Sequence, residues 1–223
     1  MSLRERAAEL LTRSVWLQGH GPELVEAFLT HGRIVHLPSG AWAQSEGDEQ
    51  TGITLVVEGG VQMMCAAPGG REVLFGQAGP GVALGQTLRF GGGPRLVTLI
   101  CVEPSVLLVI PDHALTRIAA ARPEVWQAVA ALVYLQLRGA LTLAAEAVAL
   151  PPRQRLAARL EVMARTGGPS LRLNQQALAE MMGLSRKTVN GYLLGFQRAG
   201  LLTLGYGQIE VRDTGALRRI AES

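Results

Sequence analysis

Three polar side chains near the C-terminal end of the chain have the spacing of contacts on one face of a helix. Arg186, Lys187 and Asn190 lie in the segment SRKTVNGYLLGF. In the chemistry of DNA recognition, arginine pairs with guanine O6 and N7, and asparagine pairs with adenine N6 and N7. The opposite face of the same helix would carry three apolar residues at the spacing i, i+4 and i+7, namely Val189, Leu193 and Phe196.

The residues around this helix predict a helix-turn-helix. Ala179 is small where two helices would cross, and Gly183 suits a turn with positive φ between them. Asn174 and Ser185 are natural N-caps for the two helices. Two β runs around Tyr206 follow and predict a wing that rests on the phosphate backbone. We predict DNA contacts from Asn174, Gln175, Ser185, Arg186, Lys187, Thr188, Asn190, Gly191 and Tyr206.

Gly191 is unusual within this predicted helix. A glycine in the middle of a helix costs roughly 1 kcal/mol against alanine. It either permits close approach to a base or sugar, or it is simply tolerated.

The charge distribution agrees with a nucleic-acid partner. Residues 1–150 carry 10 Lys and Arg against 13 Asp and Glu, a net charge of −3. Residues 151–223 carry 11 against 5, a net charge of +6, so the two parts give the total of +3. A basic C-terminal third favours a polyanion as partner. A solvated basic surface is the other interpretation.

A second stretch could hold a ligand, namely LGQTLRFGGGPRLV at residues 84–97. Backbone N–H groups of a glycine-rich loop and a guanidinium can together hold a phosphate. Gly85 and Arg95 are therefore candidates for an anion site. The alternative is a structural link between two strands.

The region around this stretch is predicted to be an antiparallel β domain. Short apolar runs between residues 33 and 111 are separated by turn formers, and 14 glycines occur in the 54 residues from Gly40 to Gly93. Many short strands with tight turns are typical of a small antiparallel barrel or jelly roll. Two short helices, at residues 4–13 and 22–31, are predicted before it.

A long apolar helix is predicted from Pro123 to Leu150, after a short helix capped by Asp112. Because apolar residues lie all round it, we expect it to be buried on every side. One side can pack on the β domain, and a second copy of the chain would cover the other. A central helix within a monomer is the alternative. Arg138, Glu146 and the many alanines favour a buried soluble helix over a membrane span.

The motifs resemble the Crp/Fnr superfamily of bacterial transcription regulators over nearly the whole chain. HLPSG, VVEGGVQM, PGGREVLF, GPGVALG, GGPR and LLVIP follow the order of that family's sensor barrel. MGLSRKTVNGYL and RAGLL resemble its winged helix-turn-helix. The resemblance implies a homodimer on a roughly palindromic site in double-stranded DNA, together with contact to RNA polymerase.

The expected fold class is α+β, in three parts. Residues 1–121 form a cyclic-nucleotide-binding-like sensor domain, residues 122–150 a dimerisation helix, and residues 151–223 the winged helix-turn-helix domain. The sequence has no HExxH, GxSxG or P-loop motif, so we expect no enzyme. The N-terminus lacks the apolar core of a signal peptide, so we expect a cytoplasmic protein.

The resemblance also allows the effector pocket to be compared with that of members that bind cyclic AMP. In members that bind cyclic AMP, a glutamate follows the glycine, a serine or threonine follows the arginine, and a threonine and a serine of the long helix meet the adenine. Here the corresponding positions hold Gln86, Leu96, Ala140 and Leu141. Several lost hydrogen bonds at about 1 kcal/mol each would lower the affinity by two or more decades. We therefore expect no cyclic AMP binding in the family manner at a pocket of Gly85, Gln86, Arg95, Leu96 and Ala140.

The cysteines and histidines of the chain limit which other effectors the protein could use. The only cysteines, Cys65 and Cys101, are too few for the roughly four that the iron–sulfur members of the family need. No cofactor is predicted, although haem is an alternative that would need an axial ligand from His20, His31, His36 or His113. The alternative function is a regulator controlled by a cyclic nucleotide or cyclic dinucleotide in the β domain.

Overall fold

The computed structural model of the chain divides into two units. It describes residues 1–90 and 92–223, with all of their side chains except those of Gln86 and Leu88. The first unit comprises Met1–Met63 and Gly79–Ala140, and the second comprises Met64–Ala78 and Leu141–Ser223. Each unit has its own hydrophobic core. The division into three parts at residues 121 and 150 stays a prediction.

Two helices begin the first unit, as the sequence predicts. Helix α1 (Leu3–Arg13) starts with a capping box, in which Ser2 and Glu5 satisfy each other's backbone N–H groups. Helix α2 (Pro22–His31) has proline in its first turn, where the missing N–H is not needed. A 3-10 helix, Val15–Leu17, lies between them. The apolar faces of both helices are buried in the core of the unit.

Among the described residues, eight strands of the β domain form two four-stranded antiparallel sheets. One sheet has the strand order β1-β8-β3-β6 and the other has the order β2-β7-β4-β5. The predicted antiparallel β domain is confirmed, but the two sheets are open, because each ends on an edge strand instead of closing into a barrel. The strands are β1 (Arg33–Leu37), β2 (Trp42–Gln44), β3 (Gly52–Glu58), β4 (Val61–Ala67), β5 (Arg71–Ala78), β6 (Ala83–Gln86), β7 (Thr98–Cys101) and β8 (Ser105–Pro111).

Strand β3 positions the predicted ligand stretch. It is buried from Gly52 to Val57 and pairs with β8 on one side and β6 on the other. A strand that is covered on both faces reads as a continuous apolar run, which GITLVVE does. Its pairing places Gly85 opposite Ile53 in the sheet.

The stretch of residues 84–97 includes the end of strand β6, a helical turn and, from residue 92, an irregular segment that leads to β7. After β6 comes a 3-10 helix, Leu88–Phe90, which packs against the long helix that follows later in the chain. The guanidinium carbon of Arg89 lies 4.8 Å from the centre of the Trp126 ring, and the Phe90 ring meets the same indole edge-on at 5.9 Å. Gly91 lies outside the described residues.

Helix α3 (Asp112–Ala121) begins one residue earlier than its predicted cap implies. Pro111 occupies the N-cap position, so Asp112 is the first helical residue. The Asp112 carboxylate instead accepts a hydrogen bond of 2.6 Å from the hydroxyl of Thr87. This bond joins the start of α3 to the residue after β6.

Helix α4 (Val125–Ala149) confirms the long helix, and within one chain it is buried on one side of its first half. Its buried residues all lie in the first two turns and end at Leu132. Beyond Leu132, Leu135 and Gln136 are still half-buried, whereas Tyr134, Leu137, Leu141 and Val148 are exposed in the single chain. By length and composition α4 could cross a membrane, and it is the one such helix in the described part of the chain.

The second unit is a compact helical domain with a small sheet. Its apolar core includes Leu74 from the β4–β5 hairpin, whose Gln77 side chain donates to the backbone carbonyl of Arg172. Strand β9 has no counterpart in the sequence prediction, because two residues are too few to show an alternating pattern. The elements are α5 (Pro152–Gly167), β9 (Ser170–Leu171), α6 (Gln175–Met182), α7 (Arg186–Arg198), β10 (Leu202–Gly205), β11 (Gln208–Val211) and α8 (Thr214–Ala221).

Candidate nucleic-acid interface and effector region

Helices α6 and α7 form the predicted helix-turn-helix. Gly183 ends α6 in the left-handed conformation, with φ of 63°, which glycine adopts without strain. The next amide, of Leu184, donates to the carbonyl of Ala179 at 2.9 Å and completes the turn. Ala179 and Val189 are both buried where the helices pack. The small residue, the glycine and the apolar anchor therefore have the roles expected from their spacing.

The predicted N-caps start both helices. The Asn174 side chain accepts a hydrogen bond of 2.8 Å from the Ala177 amide, directly before Gln175 opens α6. The Ser185 hydroxyl accepts one of 3.1 Å from the Thr188 amide, and the Ser185 and Thr188 hydroxyl oxygens lie 2.8 Å apart. Asn174, Ser185 and Thr188 thus fix where the two helices begin. Their side chains also lie at the N-terminal ends of the helices, where a ligand could reach them.

The two faces of α7 separate as the sequence predicts. Val189, Leu193 and Phe196 are completely buried in the core of the second unit. Arg186 and Lys187 are exposed and Asn190 is half-buried, all near the N-terminal end of the helix. This end of a recognition helix reaches base edges in a major groove.

The exposed face of α7 also has an apolar residue that the sequence analysis missed. Leu194 is 44% exposed. Its position, three residues after Gly191, places it on the same side of the helix. The signal in the sequence was an apolar residue that falls outside the i, i+4, i+7 series of the core face.

Neither glycine of α7 is required by the packing of the protein. A Cβ atom built on Gly191 or on Gly195 would have no other heavy atom within 4 Å. Both residues lie inside the helix, where each costs about 1 kcal/mol relative to alanine. The fold therefore gives no account of why Gly191 lacks a side chain.

Strands β10 and β11 form the predicted wing. They pair antiparallel from Leu202 with Val211 to Gly205 with Gln208. Tyr206 lies at the turn between them with its side chain fully exposed. A side chain at the tip of a wing is free to approach a phosphate backbone or a groove.

In the first unit, Gly85 is bonded to helix α4. The Gly85 amide donates to Oε1 of Gln136 at 3.2 Å, and Nε2 of Gln136 donates to the Gly85 carbonyl at 2.8 Å. A Cβ atom on Gly85 would lie only 2.7 Å from Cδ2 of Leu132, so the glycine allows α4 to lie this close. The backbone groups of Gly85 that could have held a ligand thus have a protein partner.

Arg95 is a buried structural residue in this structure. Its side chain donates from Nε to the Gln50 carbonyl at 2.9 Å and from Nη1 to the Gly52 carbonyl at 3.1 Å. Only 6% of the residue is exposed. Burial lowers the pKa of the guanidinium from its ordinary value, and the nearby carboxylates of Asp48 and Asp112 oppose that shift.

The predicted pocket residues differ in their surroundings. Gly85 and Arg95 both lie beside the start of β3, since Gly85 pairs with Ile53 and Arg95 bonds to Gly52. Leu96 is 69% exposed and Ala140 is exposed on α4. The side chain of Gln86 lies outside the described part of the structure.

A groove of about 590 Å³ lies elsewhere on the first unit, between α2, β1 and the start of α3. Two of the four histidines, His31 and His113, line it, together with residues that include Arg33 and Asp112. Within the described ranges, no three His, Cys, Asp or Glu side chains are grouped to hold a metal ion.

Two known domain families match the chain. Residues 34–122 match the cyclic nucleotide-binding domain, and residues 154–220 match the Crp-like helix-turn-helix domain. These segments correspond to the β domain and to the domain that carries α6, α7 and the wing. Together they cover more than half of the sequence.

The chain is similar to named proteins over most of its length. The chain is 30% identical to the cyclic AMP receptor protein of Thermus thermophilus, over 91% of this chain and 94% of that protein. It is 27% identical to the CRP-like cAMP-activated global transcriptional regulator of Mycobacterium tuberculosis, over 96% and 99%. The structure of FixK2 from Bradyrhizobium japonicum has the same fold, with a TM-score of 0.73 at 18% identity, over 85% of this chain and 96% of that one.

The contacts of Arg95 generate a prediction about stability. We expect Arg95→Ala to lower the free energy of unfolding by about 2–3 kcal/mol, because two carbonyl groups lose a charged donor. Urea unfolding followed by circular dichroism measures this change. Arg33→Ala removes the same charge from an exposed position on β1 and should change stability by less than about 0.5 kcal/mol. Equal stabilities for wild type and Arg95→Ala would show that the bonds to Gln50 and Gly52 contribute nothing.

Proposed function

Because the chain belongs to the Crp/Fnr family of DNA-binding transcription regulators, we propose that it acts as a homodimer on a roughly palindromic operator. The observation that carries this proposal is the geometry of α7, whose apolar side is buried while Arg186 and Lys187 face outward. In this arrangement two copies of α7 enter successive major grooves about 34 Å apart. The net charge of +6 on residues 151–223 favours the phosphate backbone.

The exposed residues of α4 support a second copy of the chain as its partner. Tyr134, Leu141 and Val148 recur every seven residues, and Leu137 lies three residues after Tyr134. All four are exposed. Apolar residues at alternating spacings of three and four form the seam of a two-stranded coiled coil. A parallel pair of α4 helices would bury this stripe and bring two DNA-binding units together.

We further infer that the effector region is degenerate with respect to cyclic AMP. Gln136 already satisfies both backbone groups of Gly85, and the Arg95 guanidinium donates to protein carbonyls. Leu96 stands where cyclic-AMP-binding members have a hydroxyl. A nucleotide would have to displace existing hydrogen bonds and would gain fewer in return.

The second candidate is a regulator controlled by a cyclic nucleotide or cyclic dinucleotide bound in the β domain. The names of the Thermus and Mycobacterium relatives favour it, since both refer to cyclic AMP. This candidate requires Arg95 to exchange its bonds to Gln50 and Gly52 for bonds to a ligand phosphate.

Family membership also supports the remaining parts of the proposal. We infer contact with RNA polymerase, location in the cytoplasm where operator DNA is found, and no enzymatic activity, because the relatives are regulators of transcription.

Replacing Arg186 tests whether α7 is the recognition helix. Arg186→Ala should weaken binding to DNA selected from a random library by about tenfold and relax the preference at one base pair of each half-site. Fluorescence anisotropy over a range of salt concentrations measures both affinity and salt dependence. Arg198→Ala, at the other end of α7, removes the same charge and should leave sequence preference unchanged. An unchanged preference in Arg186→Ala would show that this residue does not read bases.

The dimer can be tested on the α4 stripe. Leu137→Glu should shift the protein from dimer to monomer, because a carboxylate would be buried in the seam. Sedimentation equilibrium measures the change in mass. Gly139→Glu introduces the same charge two residues away on the other side of the helix and should leave the dimer intact. A Leu137→Glu protein that stays dimeric would place the interface elsewhere.

The effector region can be tested by calorimetry. We expect no saturable heat when cyclic AMP is added to the protein at concentrations up to about 1 mM, because several polar contacts are missing. Titrating the same preparation with selected DNA verifies that it is active. Micromolar binding of cyclic AMP would contradict the proposal, and binding of a cyclic dinucleotide alone would favour the second candidate.

A further inference from the structure

The exposed side of α7 has a gap in its row of side chains. Lys187, Gly191 and Leu194 follow one another at spacings of four and three residues, so they form one stripe along the helix. Lys187 is exposed and Leu194 is 44% exposed. Gly191 lies between them without a side chain, and open space surrounds the position where its Cβ would be. The stripe is therefore a shallow notch with a cationic side chain at one end and an apolar one at the other.

The protein itself does not account for this notch. Gly191 is inside a regular helix and does not have the positive φ that would require glycine. It makes no close approach to another part of the chain. Gly195 shares these properties, but it is half-buried and lies one turn farther from the N-terminal end of α7. Gly191 is exposed between Lys187 and Leu194, so it is the glycine that a partner would meet in a complex.

We propose that Gly191 is a specificity-determining residue whose notch accepts the 5-methyl group of a thymine. The proposal rests on the proposed placement of α7 in the major groove. The thymine methyl is the apolar group that protrudes into that groove, and apolar side chains contact it. In the notch the methyl lies against the backbone of α7 at Gly191 and against Leu194, while Lys187 is one turn nearer the N-terminal end of the helix.

This role gives Gly191→Ala opposite effects on stability and on DNA binding. An added methyl group should raise the midpoint of thermal unfolding by about 1–4 °C, because alanine favours the helix. The same methyl group fills the notch, so affinity for DNA selected by the wild-type protein should fall about tenfold. Gly195→Ala is the matched control, since it is also a helix-interior glycine with open space around its Cβ position. It lies one turn farther from the N-terminal end, so it should raise the midpoint and leave affinity unchanged.

Replacing thymidine by deoxyuridine, one position at a time, removes only the 5-methyl group and therefore tests its contact directly. In the DNA selected by the wild-type protein, one substitution in each half-site should lower the affinity of the wild-type protein about fourfold, the value of one buried methyl group. The same substitution should cause no further loss with Gly191→Ala or with Leu194→Ala, because in both variants the contact is already gone.

The outcomes separate this inference from the proposed function. Wild-type affinity and preference in Gly191→Ala, or equal losses in Gly191→Ala and Gly195→Ala, would overturn the role of Gly191 while leaving DNA binding intact. Deoxyuridine substitutions that never distinguish wild type from Gly191→Ala would overturn the assignment to a thymine methyl. Failure to select any DNA sequence would overturn the proposed function itself.

Discussion

Complete burial of Val189, Leu193 and Phe196 fixes which side of α7 faces outward. Because these residues share one side of the helix, the helix cannot rotate without exposing an aromatic ring and two aliphatic side chains to water. Gly183 and the two N-caps then fix where the helix begins and how it leaves α6. The exposed residues need no contacts of their own to be held in place, and they are therefore available for a partner.

In the first unit, the structure depends on a buried charged side chain, that of Arg95. Arg95 was predicted to hold an anionic ligand, yet its donors meet the carbonyls of Gln50 and Gly52. Desolvating a guanidinium is costly unless its donors are satisfied, so these bonds hold both the side chain and the loop before β3. Gln136 has a comparable effect on Gly85, since one amide group satisfies both of its backbone groups. Together they connect the ligand stretch to the sheet and to α4.

The sequence was sufficient for features that depend on local periodicity and turn chemistry. It predicted the helix-turn-helix with its caps, the wing, the antiparallel strands and the two N-terminal helices, since each has its own pattern of apolar residues and turn formers. It did not predict the partners of Arg95, because backbone carbonyls leave no mark in a sequence. It also did not show how much of α4 the same chain covers, since composition reports apolar surface but not what packs on it. The exposure of Leu194 could have been predicted, because this residue falls outside the i, i+4, i+7 series of the core face.

The β4–β5 hairpin makes the two units inseparable by a single cut in the chain. Residues 64–78 pass into the second unit and back, and the chain crosses again after residue 140, so three connections join the units. Leu74 of that hairpin lies in the same apolar core as the residues behind α6 and α7. A fragment that begins at residue 151 would lack this part of its own core. Recombination between relatives near residue 150 would therefore have to keep the hairpin compatible with the new C-terminal domain. This requirement restricts how freely the DNA-binding domain can be exchanged between proteins.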